Sequence, residues 1–298
     1  MSNLRSSLFM VMAMAAFSLE DMFIKATADV VPVGEILMLF GFGGTLAFIA
    51  MTLSRGQAIF HPKILSQPVL LRIVFEVIGR LFYTLAIVFT PLSSASAILQ
   101  ATPLVVVMGA ALFLGERVGW QRWCAISMGF MGVLVIIRPG LESFEISSLL
   151  AIIGMLGFAG RDLATRAASP VLSHLQLSIY GFFILIPTGL FMLIFNIGPD
   201  NNGLLNQDFI WPDMMSNLQI LAATTFGVMA YYWLTIAMRN GDVSVVAPFR
   251  YTRIVFALIL GATIFGERPD NVTLLGIVII VASGLYTLLR NKRASAKC

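Results

Sequence analysis

Apolar stretches long enough to cross a bilayer follow one another along this chain, near residues 5–28, 33–54, 69–90, 94–114, 120–138, 146–168, 173–196, 216–238, 243–265 and 271–290. In hydrocarbon a backbone N–H or C=O without a partner is expensive, so each stretch is expected to be an α-helix rather than part of an open sheet. The only long connection, Ile197 to Met215, is polar and acidic, with Asp200, Asp208 and Asp213. At 58% hydrophobic and 11% charged residues the chain is not expected to hold a soluble domain, since such domains carry about 25% charge. The expected fold is an all-α integral membrane protein of ten transmembrane helices.

Six of the stretches carry charged or hydrogen-bonding side chains in their interiors. Glu20, Asp21 and Lys25 lie in the first, Glu76 and Arg80 in the third, and Gln100 in the fourth. Arg161 and Asp162 lie in the sixth, Tyr231 in the eighth, and Arg250 and Arg253 in the ninth. Hydrocarbon does not solvate ions, so these groups are expected to face one another or a water-filled space. The second, fifth, seventh and tenth stretches lack such stripes and are expected to form the lipid-facing shell, with Gly41, Gly43, Gly44, Gly129 and Gly132 allowing close helix contact.

Basic residues set the expected orientation. With a cytoplasmic N-terminus, the inside segments hold Arg5, Arg55, Lys63, Arg72, Arg117, Arg122, Arg166, Arg239 and the basic C-terminal tail, whereas the outside loops hold Arg138 and Arg268. Both termini are therefore expected inside, and the net charge of +4 reflects loop position rather than nucleic-acid binding. Ala13-Met14-Ala15 resembles a signal cleavage site, but the apolar pattern runs on to Ala28, which favours an uncleaved first helix.

The two halves look like copies. Gly115-Glu116-Arg117 closes the fourth stretch and Gly266-Glu267-Arg268 the ninth, 151 residues apart. Near the start of each half, Phe17, Asp21 and Lys25 match Phe158, Asp162 and Arg166 at a separation of 141. Five stretches per half is an odd number, so the second copy (143–298) must insert upside down relative to the first (1–142). Inverted repeats of this kind place a binding site between the halves at mid-membrane.

Helix geometry nominates the residues facing that site. Arg72, Glu76, Arg80 and Tyr83 recur at spacings of four, four and three and share a face. Within that face Glu76 with Arg80 is either a structural ion pair or a pair that opens to a zwitterion, and Asp21 with Lys25 reads as a local salt bridge. Ser96, Gln100 and Pro103 share another face. Pro103 and Pro248 each remove a backbone donor and are expected to kink their helices. Arg250 and Arg253, without an acid in their own helix, need a counter-charge from elsewhere: Asp162, Glu76 or a bound carboxylate. Phe17, Phe158, Tyr83, Tyr231 and Tyr251 present rings to an apolar, aromatic or cationic ligand. Asp21, Lys25, Glu76, Arg161, Asp162, Arg166 and Arg253 are the expected charge network or gates.

The chain has no phosphate-binding loop, nucleophile elbow or His-Glu-x-x-His sequence, and its Cys124 and Cys298 suit neither a bridge nor a metal site. Catalysis, a cofactor, a metal and an ATPase subunit are therefore not expected.

Pro103, Gly109-Ala110, Phe113-Leu114-Gly115-Glu116-Arg117 and the echo Phe265-Gly266-Glu267-Arg268 resemble the drug/metabolite transporter superfamily, and within it the ten-span exporters with two EamA-type repeats. Ser96 to Pro103 and Ala247 to Arg253 resemble the bacterial inner-membrane branch that handles aromatic amino acids and paraquat. The resemblance implies a secondary transporter of small metabolites, most simply amino acids leaving the cytoplasm by alternating access. Exporters of lipophilic cations, and more distantly lipid scramblases, remain the alternatives.

Overall fold

A computed structural model describes residues 3–113, 119–138, 147–167, 172–195, 197, 212–240 and 246–295. The first Gly-Glu-Arg sequence, Asp200, Asp208 and the side chains of Arg166 and Pro248 lie outside that description. Among the described residues all regular structure is helical: α1 (Asn3–Thr27), α2 (Val33–Leu53), α3 (Gln67–Phe89), α4 (Leu92–Leu99), α5 (Thr102–Phe113), α6 (Trp120–Ile137), α7 (Ser148–Ala167), α8 (His174–Phe183), α9 (Leu185–Ile194), α10 (Met214–Asn240), α11 (Thr252–Ile264) and α12 (Asn271–Ser295). Short 3-10 turns occupy Pro62–Leu65 and Ala247–Tyr251. Among the described residues six runs are long and apolar enough to cross a bilayer: Leu4–Thr27, Val33–Leu53, Leu92–Phe113, Ser148–Thr165, His174–Ile194 and Met214–Ala237.

Three of the expected spans are interrupted. The fourth stretch stops at Leu99 and resumes at Thr102. Pro103 then sits in the first turn of α5, where its missing N–H sacrifices no intrahelical bond. The Thr102 hydroxyl donates to Leu99 O at 2.5 Å and satisfies one of the freed carbonyls. The ninth stretch begins with the 3-10 turn and becomes α-helical only at Thr252. The seventh breaks between Phe183 and Leu185, which the sequence pattern did not lead us to expect. Pro187 accounts for it, because its ring would collide with the carbonyl four residues back, at Phe183.

Glycines set the closest crossings. A Cβ on Gly157 of α7 would lie 2.3 Å from the backbone N of Gly79 in α3, and one on Gly154 would lie 2.8 Å from Tyr83 N. α1 packs along α10, α6 along α12, and α2 along α8 and α9. The last arrangement corrects the expectation of a purely lipid-facing second stretch. α2 buries Val33, Glu35, Ile36, Leu37 and Phe40, and Phe40 stacks on Phe182 of α8 at 5.2 Å. One of its faces therefore belongs to the core. α6 and α12 do keep a lipid-like surface, with Met128, Met131, Leu134, Leu275 and Val278 exposed.

Two helix starts, those of α10 and α12, are capped by carboxylates that lie outside the spans. Asp213 accepts from Ser216 N at 2.8 Å at the start of α10, and its bonds to Ser216 hold its carboxyl below the usual range. Arg138, in a left-handed conformation (φ 53°) after α6, donates to Asp270 before α12. That bond, followed by those to Thr273, holds the Asp270 carboxyl well below the usual range.

Candidate functional site

The polar faces of α1, α3, α7 and α10 meet the α4–α5 break and the turn before α11 around a cavity with about 70 Å³ of room. Phe17, Arg80, Tyr83, Gln100, Phe158, Arg161, Asp162, Tyr231, Arg250 and Arg253 line it, and Met14, Leu99, Thr102, Pro103 and Leu234 complete the wall. A water needs roughly 10–15 Å³ of such room. The space therefore accommodates a few waters, and a metabolite enters only if the walls part.

Ion pairs run both between helices and along them. Arg80 bonds Glu20 of α1, both almost fully buried. Arg253 donates to Asp21 at 2.6 Å. Tyr83 donates to the same carboxylate at 3.1 Å and lies 3.2 Å from the Ser96 hydroxyl. These contacts make one cluster. In the second, Arg161 donates through Nε and Nη2 to Asp162 at 3.0 and 2.8 Å, and through Nη1 to the Tyr231 hydroxyl at 2.9 Å. Arg161 Nη1 also stands 3.4 Å from Glu76, which accepts from Tyr231 at 3.1 Å and faces Arg72 at 3.7 Å.

These contacts replace two pairings expected from helix spacing. Glu76 is held by Arg72, Arg161 and Tyr231 rather than by Arg80, and Asp21 is held by Arg253 and Tyr83. Lys25 instead reaches Glu267 at 3.6 Å and the carbonyls of Ile87 and Thr90. The physical reason is burial: a carboxylate inside a bundle gains most from guanidinium donors that neighbouring helices aim at it. Tyr251 is also corrected, because it is buried but absent from the cavity wall.

Aromatic faces take the place of water around the arginines. Arg161 lies over Phe158 at 4.8 Å, Arg80 over Phe40 at 5.1 Å, and Arg253 over Phe17 at 5.1 Å and Tyr83 at 5.5 Å. Phe17 meets Tyr231 edge-on at 5.4 Å.

Arg250 differs from the other arginines of the wall. It is half-buried, and its carbonyl accepts from the Gln100 side chain at 3.1 Å. Among the described residues no carboxylate lies within ion-pair distance of its guanidinium, and its electrostatic counterpart is Asp162. Counted over the described side chains of both clusters and the wall, five arginines (72, 80, 161, 250 and 253) face four carboxylates (20, 21, 76 and 162). The surplus is positive.

Some participants escaped the sequence pattern. Met14, Leu99, Thr102 and Leu234 read as ordinary apolar or small residues, and only their position at the break or on the polar faces marks them. Glu35 is a buried charge in a stretch that looked clean. Among the described residues no cluster of His, Cys, Asp and Glu is arranged to hold a metal.

Comparison with known proteins agrees with this architecture. The chain is 28% identical over 293 residues to the pseudopaline exporter CntI of Pseudomonas aeruginosa, covering 96% of each chain. It is 26% identical over 229 residues to a riboflavin transporter of Rhizobium johnstonii (76% and 72% of the two chains). It is likewise 26% identical over 219 residues to an S-adenosylmethionine uptake transporter of Rickettsia felis (74% and 70%). A crystal structure at 20% identity superposes over 98% of this chain and 99% of its own with a TM-score of 0.66, which establishes a shared fold. Residues 4–138 and 146–289 match the EamA-like transporter family, within the drug/metabolite transporter superfamily, and the chain belongs to that family.

Proposed function

We propose that the protein is a ten-span secondary transporter of a bacterial inner membrane, built from two inverted five-helix repeats with both termini cytoplasmic. It exports small metabolites by alternating access through the cavity, and its favoured cargo is an amino acid with an aromatic or apolar side chain. Transport itself is the common property of the relatives, which include an uptake transporter and an exporter.

The observation that carries the cargo assignment is Arg250, a guanidinium on the cavity wall with no carboxylate within ion-pair distance among the described residues. Arginine binds a carboxylate through two parallel bonds. The rings of Phe17, Tyr83, Phe158 and Tyr231 offer a surface for an apolar side chain. Asp162, on the same wall, supplies the acid for an ammonium group. A lipophilic cation would meet a surplus of arginines, which disfavours that alternative. The transporter family and the transporter names of the relatives support passage rather than catalysis as the role.

Loading requires the Arg253–Asp21 pair between α11 and α1 to loosen as the halves rock, with the interruptions near Pro103 and Pro248 as the bending points. The test is a proteoliposome uptake panel of amino acids, riboflavin, S-adenosylmethionine and organic cations, with and without a pH gradient. Saturable uptake of aromatic or apolar amino acids is expected. Uptake confined to organic cations would overturn the cargo assignment, and no saturable flux of any solute would overturn transport.

A further inference from the structure

We infer that Glu267 is a latch that holds one end of the cavity closed by capping the helix that leads into it. The inference rests on the alternating-access reading above but concerns a group outside the cavity. After α11 the chain turns at Gly266, whose φ of 65° is in the region glycine favours. Gly261, one turn earlier, has no Cβ, and an added one would lie 2.5 Å from Glu267 Oε2. The side chain is thereby free to fold back across α11 and reach the start of α4.

There Oε1 accepts from Leu92 N at 2.6 Å, and Oε2 accepts from Ser93 N at 3.0 Å and from the Ser93 hydroxyl at 2.7 Å. Two backbone donors that a helix start leaves without partners are satisfied by one carboxylate, which also suits the positive end of the helix dipole. Lys25 Nζ stands 3.6 Å from Oε1 while holding Ile87 O and Thr90 O at 2.9 and 2.6 Å. One acid from the second half thus ties together α1, the end of α3 and the start of α4 in the first.

From this knot α4 runs directly to Leu99 and Gln100 on the cavity wall, and Gln100 bonds back to Arg250 O. At the same interface Arg253 bonds Asp21, and its carbonyl accepts from Ser18. Separating α11 from α1 and α4, which opening this end demands, breaks the Glu267 contacts. Two of the three donors, Leu92 N and Ser93 N, are fixed in backbone, so no rotamer change preserves those bonds. Glu267 is therefore a positioning residue that acts on the conformational equilibrium and does not touch the cargo.

The experiment uses the full chain in oriented proteoliposomes with Cys124→Ser, Cys298→Ser and a single reporter, Leu99→Cys. A membrane-impermeant maleimide is applied from the side of the Pro91 loop. Charged acceptors make the stronger hydrogen bonds, so Glu267→Gln is expected to raise the labelling rate about ten-fold. Labelling from the opposite side should fall. Glu267→Asp should give an intermediate rate, and Lys25→Met a rise of about two- to three-fold. Unchanged labelling in folded Glu267→Gln overturns the latch. If that variant does not fold, Ser93→Ala removes one of three donors and is expected to raise labelling about three-fold, and no change there overturns the inference equally. The labelling contrast needs no cargo, so its failure is distinguishable from a failure of the uptake panel.

Discussion

Replacing Gly157 with alanine probes the crossing on which the cavity depends. The new Cβ would stand 2.3 Å from Gly79 N, 2.5 Å from Gly79 Cα and 3.0 Å from Ile78 C. Ordinary contacts are about 3.5–4.0 Å, so α3 and α7 must separate by roughly 1 Å or more. All three obstructing atoms are backbone, and no side chain can yield. Overpacking of this kind costs about 1–3 kcal/mol, and the helix preference of alanine over glycine returns up to about 1 kcal/mol. A net loss of about 1–2 kcal/mol follows. The same shift stretches the Arg161–Glu76 contact, already at 3.4 Å, beyond ion-pair range. Thermal unfolding in detergent should drop by roughly 2–4 °C, and proteoliposome uptake should fall at least about five-fold, which corresponds to 1 kcal/mol. Gly119→Ala is the control, because its Cβ would meet nothing within 4 Å. Wild-type melting and uptake in Gly157→Ala would refute the claim that this crossing sets the site.

Glu20→Gln leaves Arg80 buried without its carboxylate and should cost about 3–5 kcal/mol, read as a large fall in melting temperature that Arg80→Met in the same chain partly restores. Tyr231→Phe keeps the ring against Phe17 but removes the hydroxyl between Arg161 and Glu76. Uptake should fall by the equivalent of about 1–2 kcal/mol, and Tyr231→Ala should lower it further. Asp270→Asn removes the exposed bond to Arg138 and should destabilise by less than about 1 kcal/mol near neutral pH. The Asp270 carboxyl is held below its ordinary value in the folded chain. Its contribution is therefore fully present above about pH 4 and lost progressively as pH falls further. Melting curves of the two proteins should converge in that acid range.

The fold class was legible because lipid permits few solutions: long apolar runs without a soluble remainder leave only helices. Eleven of the residues nominated from the sequence line one cavity, Arg80, Gln100, Pro103, Asp162, Tyr231 and Arg250 among them. Partner identity was not legible. Spacing along one helix pairs Glu76 with Arg80 and Asp21 with Lys25, whereas packing pairs Arg80 with Glu20 and Asp21 with Arg253. Same-helix neighbours are visible in sequence, but cross-helix ones depend on the rotation of each helix in the bundle. Glu35 was missed because a single acid in an otherwise clean stretch carries no periodic signal. Glu267 was noticed as half of a repeated motif, but its bond to the start of α4 spans 174 and 175 residues of sequence.

Arg250 bears the central claim, and it is tested most directly by saturable uptake of an aromatic amino acid in wild type, Arg250→Lys and Arg250→Ala at matched protein density. A carboxylate held by a bidentate guanidinium predicts loss of about 2–4 kcal/mol in Arg250→Ala, a fall of at least thirty-fold in uptake efficiency, with partial retention in Arg250→Lys. The amide analogue of the same amino acid should be a poor cargo for wild type and should discriminate less between the three proteins. Equal uptake of acid and amide, unchanged in Arg250→Ala, would contradict the account.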